Sequence, residues 1–290
     1  MRSVLDTIGN TPVVELKRLN PNPSVHIYAK LEGNNPGGSV KDRPALNMIK
    51  SAIERGEITS STKLIEATSG NTGIAMALIA NLFNLQIELV MPSTSTRERV
   101  LAMKAFGAGV TLLDSMEKCR DYAENKAGNG DYFLLNQFGN PDNYLAHYKS
   151  TGPEIWRDLD GKVTHFVSAM GTTGTIMGTS MYLKEMNPNV QIIGCQPTEE
   201  SSIPGIRRWA PAYLPKIFDP SRVDRVMDIT QQEATEIARK LAREEGVFAG
   251  MSSGGAASAA ITLSKELESG TIVFIVCDRG DRYLSSDLFG

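Results

Sequence analysis

The feature that most constrains the fold is a regular alternation of short apolar runs with longer helical patterns. Each run has five to seven residues, and most are followed by turn residues before a helical pattern begins. The runs are KLIEA (63–67), IELVMP (87–92), VTLLD (110–114), THFVSAM (164–170), QIIGCQP (191–197) and IVFIVCD (272–278). Runs of this length between helices are typical of βαβ units with buried parallel strands. The sequence therefore predicts an α/β fold.

The runs fall into two groups, before and after about residue 145. Because each group contains enough strands and helices for a sheet of its own, we expect two domains. Each domain is predicted to have a mainly parallel twisted sheet flanked by helices.

Composition and charge limit which partners the protein can bind and in which compartment it is expected. The net charge of −3 over 290 residues leaves no basic stripe for a nucleic acid. Neither a membrane-spanning apolar run nor the apolar core of a signal peptide is visible in the sequence. The three cysteines, Cys119, Cys195 and Cys277, are odd in number and lack metal-type spacing. These features predict reduced thiols, no metal site and a cytoplasmic protein.

Three loops rich in small residues are candidates for ligand binding, because open parallel sheets bind ligands beyond the carboxyl ends of their strands. GTTGT (171–175) offers hydroxyl and backbone donors at a helix start, which suits a phosphate. TSGNTG (68–73) offers donors suited to a carboxylate or phenolate, and GMSSGGAASAA (250–260) permits close packing on a ligand or on another helix. Each loop is also consistent with an ordinary capped turn.

Lys41 lies in NNPGGSVKDRPALNMI (34–49), close to a predicted helix start. Pro44 cannot lie deep in a helix, so the helix begins near Val40 or Lys41. The helix dipole and partly desolvated surroundings are expected to lower the pKa of Lys41. Such a lysine can form a Schiff base, although a single lysine is more often an ordinary surface residue. Together with a phosphate loop and a carboxylate loop, it meets the needs of a pyridoxal 5'-phosphate enzyme that acts on an amino acid.

A series of motifs spread over the chain from about Ile8 to its last residues resembles a known family. The motifs, in order, are GNTPVVEL (9–16), NPGGSVKDRPA (35–45), EATSGNTGIA (66–75), QFGNPDN (137–143), STGPEIW (150–156), GTTGT (171–175), GMSSGGA (250–256) and CDRGDRYLS (277–285). They are similar to those of the O-acetylserine sulfhydrylase (cysteine synthase) family of fold-type II pyridoxal phosphate enzymes. The resemblance implies a tryptophan synthase β-like fold.

The resemblance also implies a role for each candidate residue. Lys41 would be the Schiff-base lysine, Asn71 would bind the ring oxygen of pyridoxal 5'-phosphate, and Ser252 would face its pyridine nitrogen. Its phosphate would be held by Gly171, Thr172, Thr173, Gly174 and Thr175. The substrate carboxylate would be held by Thr68, Ser69, Thr72 and Gln137.

The reaction implied by the resemblance is a β-replacement through an aminoacrylate intermediate, in which O-acetyl-L-serine and sulfide give L-cysteine and acetate. Residues 35–146 would form a smaller movable domain that carries the carboxylate loop. Residues 1–34 and 147–290 would form the larger domain that holds the phosphate. A homodimer is also implied.

Two segments, SSIPGIRRW (201–209) and CDRGDRYLS, resemble the B type within this family, which also accepts thiosulfate and then makes S-sulfocysteine. Arg208, with Arg207 and Trp209, is predicted to bind the sulfonate end of thiosulfate, because guanidinium groups suit such anions. An exposed loop with no role in binding is the alternative. The roles of Cys277 and Asp278 stay open.

Other functions remain as alternatives at this point. A serine or threonine dehydratase, or an enzyme like cystathionine β-synthase, would share the fold and the cofactor. A nicotinamide dehydrogenase is disfavoured because no G-x-G-x-x-G motif follows a strand. A non-catalytic partner of serine acetyltransferase would not need Lys41.

Overall fold

The chain folds into two parallel-rich sheets flanked by helices, and the computed structural model describes residues 3–68 and 70–290. The strands are β1 (Val13–Glu15), β2 (Val25–Leu31), β3 (Lys63–Ala67), β4 (Gln86–Pro92), β5 (Gly109–Leu113), β6 (Phe133–Leu134), β7 (His165–Ala169), β8 (Gln191–Pro197), β9 (Arg225–Ile229) and β10 (Gly270–Val276). The α-helices are α1 (Asp42–Glu54), α2 (Asn71–Leu82), α3 (Arg97–Ala105), α4 (Met116–Gly128), α5 (Pro141–Ala146), α6 (Gly152–Asp158), α7 (Gly174–Met186), α8 (Gln231–Glu245) and α9 (Met251–Glu266). A π-helical turn, His147–Thr151, joins α5 to α6.

Within the described residues, the larger sheet has the strand order β1-β2-β10-β7-β8-β9 and the smaller one the order β5-β4-β3-β6. β1 pairs antiparallel with β2, and all other pairs are parallel. The α/β fold with parallel-rich sheets is therefore confirmed. The larger sheet takes its strands from residues 13–31 and 165–276, the smaller one from residues 63–134. The boundaries of the movable domain, 35–146, stay a prediction.

The helices differ in how many of their faces are buried, and the sequence accounts for the difference. In α2 every residue from Thr72 to Ala80 is buried, as expected of a helix made almost entirely of small and apolar side chains. In α8 only Ala234, Ala238 and Leu241 are buried, and the charged remainder faces outward. Across the described part of the chain, no helix combines the length and apolarity that crossing a membrane requires.

All six strands predicted from the sequence are present within two residues of their predicted ends. Four further strands, β1, β2, β6 and β9, were not predicted. β2 contains Lys30, a residue type that normally stays in water, yet Lys30 is fully buried. Its Nζ lies 2.8 Å from Glu154 Oε2 and donates to the carbonyl oxygen of Thr11 at 2.8 Å. The buried ion pair, which local sequence does not reveal, explains why β2 was missed.

The strand ends bring the candidate loops towards one region of the molecule. Thr68 follows β3 and Gly70 precedes α2, while residues 170–173 connect β7 to α7. The segment before α1 lies against the end of β10, where Ser39 bridges to Asp278 and the backbone N–H of Val40 donates to Cys277 at 2.8 Å. These connections place Lys41 beside the residues that follow β10.

Candidate active site

A cavity of about 920 Å³ is lined by residues from both sheets. Predicted site residues that line it are Lys41, Thr68, Asn71, Thr72, Gln137, Gly171, Thr172, Thr175, Arg208 and Ser252. Cys277 and Tyr283, which follow β10, line it as well. The fold therefore brings residues that are far apart in sequence to one cavity. Thr173 and Gly174 are not among the residues that line the cavity. Ser69 lies outside the described residues.

Lys41 is the N-cap of α1, which begins at Asp42. The helix thus starts within two residues of the position that Pro44 predicted. Burial lowers the pKa of Lys41, while Cys277, Asp278 and Glu32 act in the opposite direction. A lowered pKa increases the fraction of neutral amine near pH 7, which is the nucleophilic and basic form.

The loop between β7 and α7 contains a donor that no described residue uses. Thr173 has a left-handed backbone with φ of 70°, and its buried Oγ1 lacks a hydrogen-bond partner within residues 3–68 and 70–290. A Cβ at Gly171 would lie 2.8 Å from the carbonyl oxygen of Gly205. Since buried hydroxyls are normally hydrogen-bonded, this loop has the properties of an anion site at the start of α7.

Three side chains outside the loop hold it in place. The sequence analysis gave no role to Asn143 or His147, and it placed Trp209 at the thiosulfate site instead. Asn143 Nδ2 donates to Thr172 Oγ1 at 3.2 Å, and Trp209 Nε1 donates to the carbonyl oxygen of Gly171 at 2.8 Å. His147 Nε2 and Thr175 Oγ1 are hydrogen-bonded at 3.3 Å. Asn143 lies in the QFGNPDN motif, so that motif was a signal that could have found it.

His147 is neutral at ordinary pH. Its ring is buried, and its Nδ1 is hydrogen-bonded to Thr151 Oγ1 at 2.8 Å. Burial, with the positive charge of Arg43 as the next cause, lowers the pKa of His147 to about 3. His147 therefore contributes a hydrogen bond to Thr175 without adding a charge to the loop.

The hydroxyl oxygens of Thr68 and Thr72, at the start of α2, already take part in hydrogen bonds. Thr68 Oγ1 accepts from the backbone N–H groups of Gly70 and Gly73, both at 3.2 Å. Thr72 Oγ1 donates to Gln137 Oε1 at 2.8 Å, and Gln137 Nε2 donates to the carbonyl oxygen of Ala67 at 3.2 Å. The structure thus brings together Thr68, Thr72 and Gln137, as the proposed carboxylate site requires.

Asn71 is held at both ends of its amide. Its Nδ2 donates to Asp278 Oδ2 at 2.7 Å, and its Oδ1 accepts from Nη1 of Arg282. Asp278 is fully buried and also accepts from the hydroxyl of Tyr283 at 2.7 Å. Arg282 and Tyr283 belong to the CDRGDRYLS motif, but the sequence analysis gave neither a role.

Ser252 and Cys277 lie on the side of the cavity formed by α9 and the end of β10. Ser252 is the second residue of α9 and is buried. Burial raises the pKa of Cys277 to about 11, although Lys41 and a hydrogen bond with Ser252 lower it in part. The thiol of Cys277 therefore stays protonated near pH 7.

Arg208 lines the cavity, but its guanidinium has other partners. Its Nε donates to the carbonyl oxygen of Pro197 at 2.8 Å, and its Nη2 lies 2.5 Å from Asp228 Oδ2. The neighbouring Arg207 donates from Nη1 to the carbonyl oxygen of Ile206 at 2.8 Å. Partial removal from water, followed by the positive charge of Arg99, lowers the pKa of Arg207. The positive charges of Arg207 and Arg99 therefore affect each other in this part of the cavity.

Comparison with known proteins agrees with this geometry. The family model for pyridoxal-phosphate dependent enzymes matches residues 4–278. The chain is 58% identical to cysteine synthase B of Pseudomonas aeruginosa, with 99% of this chain and 97% of that protein covered. It is 53% identical to cysteine synthase B of Escherichia coli, with 100% and 97% covered.

A solved structure shows the same likeness in three dimensions. The cysteine synthase of Entamoeba histolytica superimposes with a TM-score of 0.94 at 39% identity, covering 100% of this chain and 90% of that one. The family match includes Lys41, both loops and the start of α9. On this evidence the chain belongs to the pyridoxal-phosphate dependent enzyme family.

Proposed function

We propose that this protein is a transferase that converts O-acetyl-L-serine and sulfide to L-cysteine and acetate. The observation that carries the proposal is the position of Lys41, whose pKa is lowered by burial, in a cavity that both loops line. One loop has the donors for a phosphate and the other has the donors for an amino-acid carboxylate. Relatives more than half identical over nearly their full length are named cysteine synthase B.

The residues of the cavity fit pyridoxal 5'-phosphate. The unused buried hydroxyl of Thr173 and the close backbone at Gly171 suit its phosphate, held together with Thr172, Gly174 and Thr175. Lys41 would bond to its aldehyde carbon, Asn71 would donate to its ring oxygen, and Ser252 would face its ring nitrogen. A serine hydroxyl leaves that nitrogen nearer neutral than a carboxylate would, because it carries no negative charge.

When bound, pyridoxal 5'-phosphate supplies the electron sink that makes the Cα proton of the amino acid removable. Lys41, a neutral amine once the amino group of the substrate has replaced it at the aldehyde carbon, takes that proton, and acetate leaves from Cβ with the electrons of the Cβ–O bond. The sulfur nucleophile then forms a bond to Cβ, and Lys41 returns the proton to Cα. A lowered pKa suits Lys41 to both transfers near pH 7.

Thr68, Ser69, Thr72 and Gln137 would bind the carboxylate of the substrate. Because the hydroxyl of Thr72 already donates to Gln137, an incoming carboxylate has to exchange that bond for a new one. Thr68 Oγ1 accepts from the backbone N–H groups of Gly70 and Gly73 and can donate its own hydrogen to the carboxylate. We infer that this exchange draws residues 35–146, as a movable domain, towards residues 1–34 and 147–290. Closure would keep water away from the reacting Cβ.

The reaction is tested by incubating the purified holoprotein with O-acetyl-L-serine and sulfide and measuring cysteine and acetate. Equal amounts of both products are expected. Pyruvate and ammonia as the main products, with sulfide present, would instead support a serine or threonine dehydratase. Cystathionine formed from homocysteine faster than cysteine from sulfide would support an enzyme like cystathionine β-synthase. The nicotinamide dehydrogenase is set aside by the family match.

We further infer that thiosulfate is an alternative sulfur donor and that S-sulfocysteine is then the product. Arg99, Arg207 and Arg208 all line the cavity, and their positive charges support an anion site, although the Arg208 guanidinium is also paired with Asp228. Arg208→Ala and Arg207→Ala are the test variants. Thiosulfate turnover is expected to fall at least about tenfold more than sulfide turnover, equivalent to the loss of one charge-assisted hydrogen bond. Equal losses of turnover with thiosulfate and with sulfide would show that these arginines have no selective role in thiosulfate binding.

The resemblance to the cysteine synthase family also leads us to infer a homodimer in the cytoplasm. Light scattering during size-exclusion chromatography measures the mass of the particle, and twice the chain mass of 31.5 kDa is expected. Fractionation of cells that express the tagged protein tests the compartment.

A further inference from the structure

The side-chain amide of Asn71 lies between two opposite charges. Its Nδ2 donates to the carboxylate of Asp278 at 2.7 Å, and its Oδ1 accepts from the guanidinium of Arg282. Turning the amide over would place its oxygen against the carboxylate and its NH₂ group against the guanidinium. Since both new contacts would be repulsive, the two charges allow one orientation of the amide.

This orientation decides what Asn71 can offer to a molecule in the cavity, which it lines. Its oxygen is occupied by a cationic donor, and one of its two N–H groups is occupied by Asp278. One N–H group remains for a hydrogen-bond acceptor. An anionic ring oxygen accepts such a bond better than a protonated one, because it carries more negative charge.

Asp278 and Arg282 are themselves held firmly. Asp278 is fully buried, and its Oδ2 also accepts from the hydroxyl of Tyr283 at 2.7 Å. Its Oδ1 lies against Gly250, where an added Cβ would be 2.3 Å away, and has no hydrogen-bond partner within the described residues, so Oδ2 carries the polar contacts of this side chain. The Nη2 of Arg282 donates to the carbonyl oxygen of Gly37, in the loop that leads to Lys41. The pair therefore links the start of α2 to the lysine loop and the segment after β10.

We propose that Asp278 and Arg282 are positioning residues that orient the amide of Asn71 so that it donates to the ring oxygen of pyridoxal 5'-phosphate. The inference rests on the cofactor and the role of Asn71 given under the proposed function. It assigns a role to Asp278 that the sequence left open. Neither residue has to touch the substrate for this role.

The test is the binding of pyridoxal 5'-phosphate to the full-length apoprotein, followed by its absorption spectrum. Asp278→Asn removes the charge that fixes the amide but keeps the shape of the side chain. The apparent Kd is expected to rise about tenfold, the range for one lost hydrogen bond to a charged group. The ratio of the two cofactor absorption bands is also expected to change. Each band belongs to one protonation state of the bound cofactor, and a hydrogen bond from Asn71 to the ring oxygen affects the balance between these states.

The matched control is Asp281→Asn, the same change three residues along the chain. Asp281 is exposed and accepts from Arg279 Nε at 2.8 Å on the surface. Its Kd and band ratio are expected to stay within about twofold of the unchanged protein, since surface ion pairs contribute little.

A double-mutant cycle separates positioning from general support of the structure. Without the amide there is nothing to orient, so adding Asp278→Asn to Asn71→Ala is expected to change neither Kd nor band ratio further. Effects that simply add, or an Asp278→Asn protein that matches the unchanged one, would overturn the proposal.

If Asp278→Asn does not fold, the same double-mutant cycle with Asn71→Ala is measured for Arg282→Gln, which changes the partner of the amide oxygen. Failure of both variants to fold would also overturn the proposal, because it would assign the pair to folding. A protein that binds the cofactor normally but does not turn over O-acetyl-L-serine would contradict the proposed reaction and leave this inference standing.

Discussion

The two loops that start α2 and α7 have almost the same sequence pattern and opposite hydrogen-bonding states. Both follow a parallel strand, and both combine threonines with glycines. In residues 171–175, the buried hydroxyl of Thr173 has no partner in the described part of the chain. In residues 68–73, the hydroxyls of Thr68 and Thr72 are already hydrogen-bonded to nearby groups.

The difference teaches that similar local patterns acquire different uses from their long-range neighbours. The 171–175 loop is held by Asn143, His147 and Trp209, so it offers a site that exists before any ligand arrives. In the 68–73 loop, Asn71 is likewise held by the distant Asp278 and Arg282, but the hydroxyls of Thr68 and Thr72 bond to groups of the loop itself, to Gly73 and to Gln137. Preformed donors suit a resident cofactor, whereas donors that must exchange partners suit a substrate that comes and goes.

The largest expected effect comes from the amine in the cavity that both loops line. Lys41→Ala removes both the bond to the cofactor and the base for the Cα proton. We expect cysteine formation to fall on the order of a thousandfold or more, equivalent to about 4 kcal/mol. Borohydride reduction and mass spectrometry should locate the cofactor on Lys41 in the unchanged protein and on no residue of the variant.

Lys50→Ala is the control for Lys41→Ala, because Lys50 is an exposed residue of the same helix that pairs with Glu54. It should keep full activity. An adduct on a residue other than Lys41 would contradict the role given to both loops, since the cofactor would then lie elsewhere.

His147, which contacts the 171–175 loop, should make the free energy of unfolding depend on pH. The folded-state pKa of His147 is about 3, below the usual value of about 6.5. As the pH falls below 6.5, the unfolded chain therefore binds a proton that the folded chain does not. From pH 7.5 to pH 5 this linkage should lower the free energy of unfolding by about 2 kcal/mol.

His147→Gln removes the titrating group and retains a hydrogen-bonding side chain for Thr175. Urea unfolding of both proteins at pH 7.5 and pH 5 measures the difference. The variant should lose less stability on acidification by about 2 kcal/mol. The same acid sensitivity in both proteins would show that His147 is not buried as a neutral group.

Local sequence was enough to predict the strands that lead to both loops, because their runs are apolar and are ended by turn residues. It was also enough to place Lys41 near a helix start, because Pro44 limits where α1 can begin. The role of each loop came from resemblance to a family. Spacing alone left phosphate binding and an ordinary capped turn equally open for residues 171–175.

Sequence could not provide the neighbours that separate the two loops. Asn143 and His147 reach the 171–175 loop from α5 and the π-helical turn, some 25 to 30 residues away. Asn71 and Asp278 are 207 residues apart in the chain. Such contacts depend on how sheets and helices pack. The QFGNPDN motif pointed to Asn143, but no local pattern shows which loop that residue contacts. Lys30 shows the same limit, because its burial depends on Glu154 and on the backbone of Thr11.

A smaller effect is expected from crowding the preformed loop. A Cβ at Gly174 would lie 2.0 Å from Asn143 Oδ1, so Gly174→Ala forces Asn143 to move. That movement would break the bonds from Asn143 to Thr172 and to the backbone of Gln137. We expect the Kd for pyridoxal 5'-phosphate to rise about tenfold, or about 1.4 kcal/mol.

Gly128→Ala is the control for Gly174→Ala, since a Cβ at Gly128 meets no described atom within 4 Å. It should leave the Kd unchanged. If Gly174→Ala raised the KM for O-acetyl-L-serine and left the cofactor Kd alone, the assignment of the two loops would have to be reversed.

The smallest expected effect comes from the 68–73 loop. Thr72→Val keeps the shape of the side chain but removes the hydroxyl that donates to Gln137. A substrate carboxylate would lose one donor, so we expect the KM for O-acetyl-L-serine to rise about fivefold, or about 1 kcal/mol. The Kd for pyridoxal 5'-phosphate should not change, because the phosphate donors belong to the other loop. Thr235→Val, which removes an exposed hydroxyl on α8, should change neither quantity. A weaker cofactor complex at an unchanged KM would mean that the two loops are not divided between cofactor and substrate.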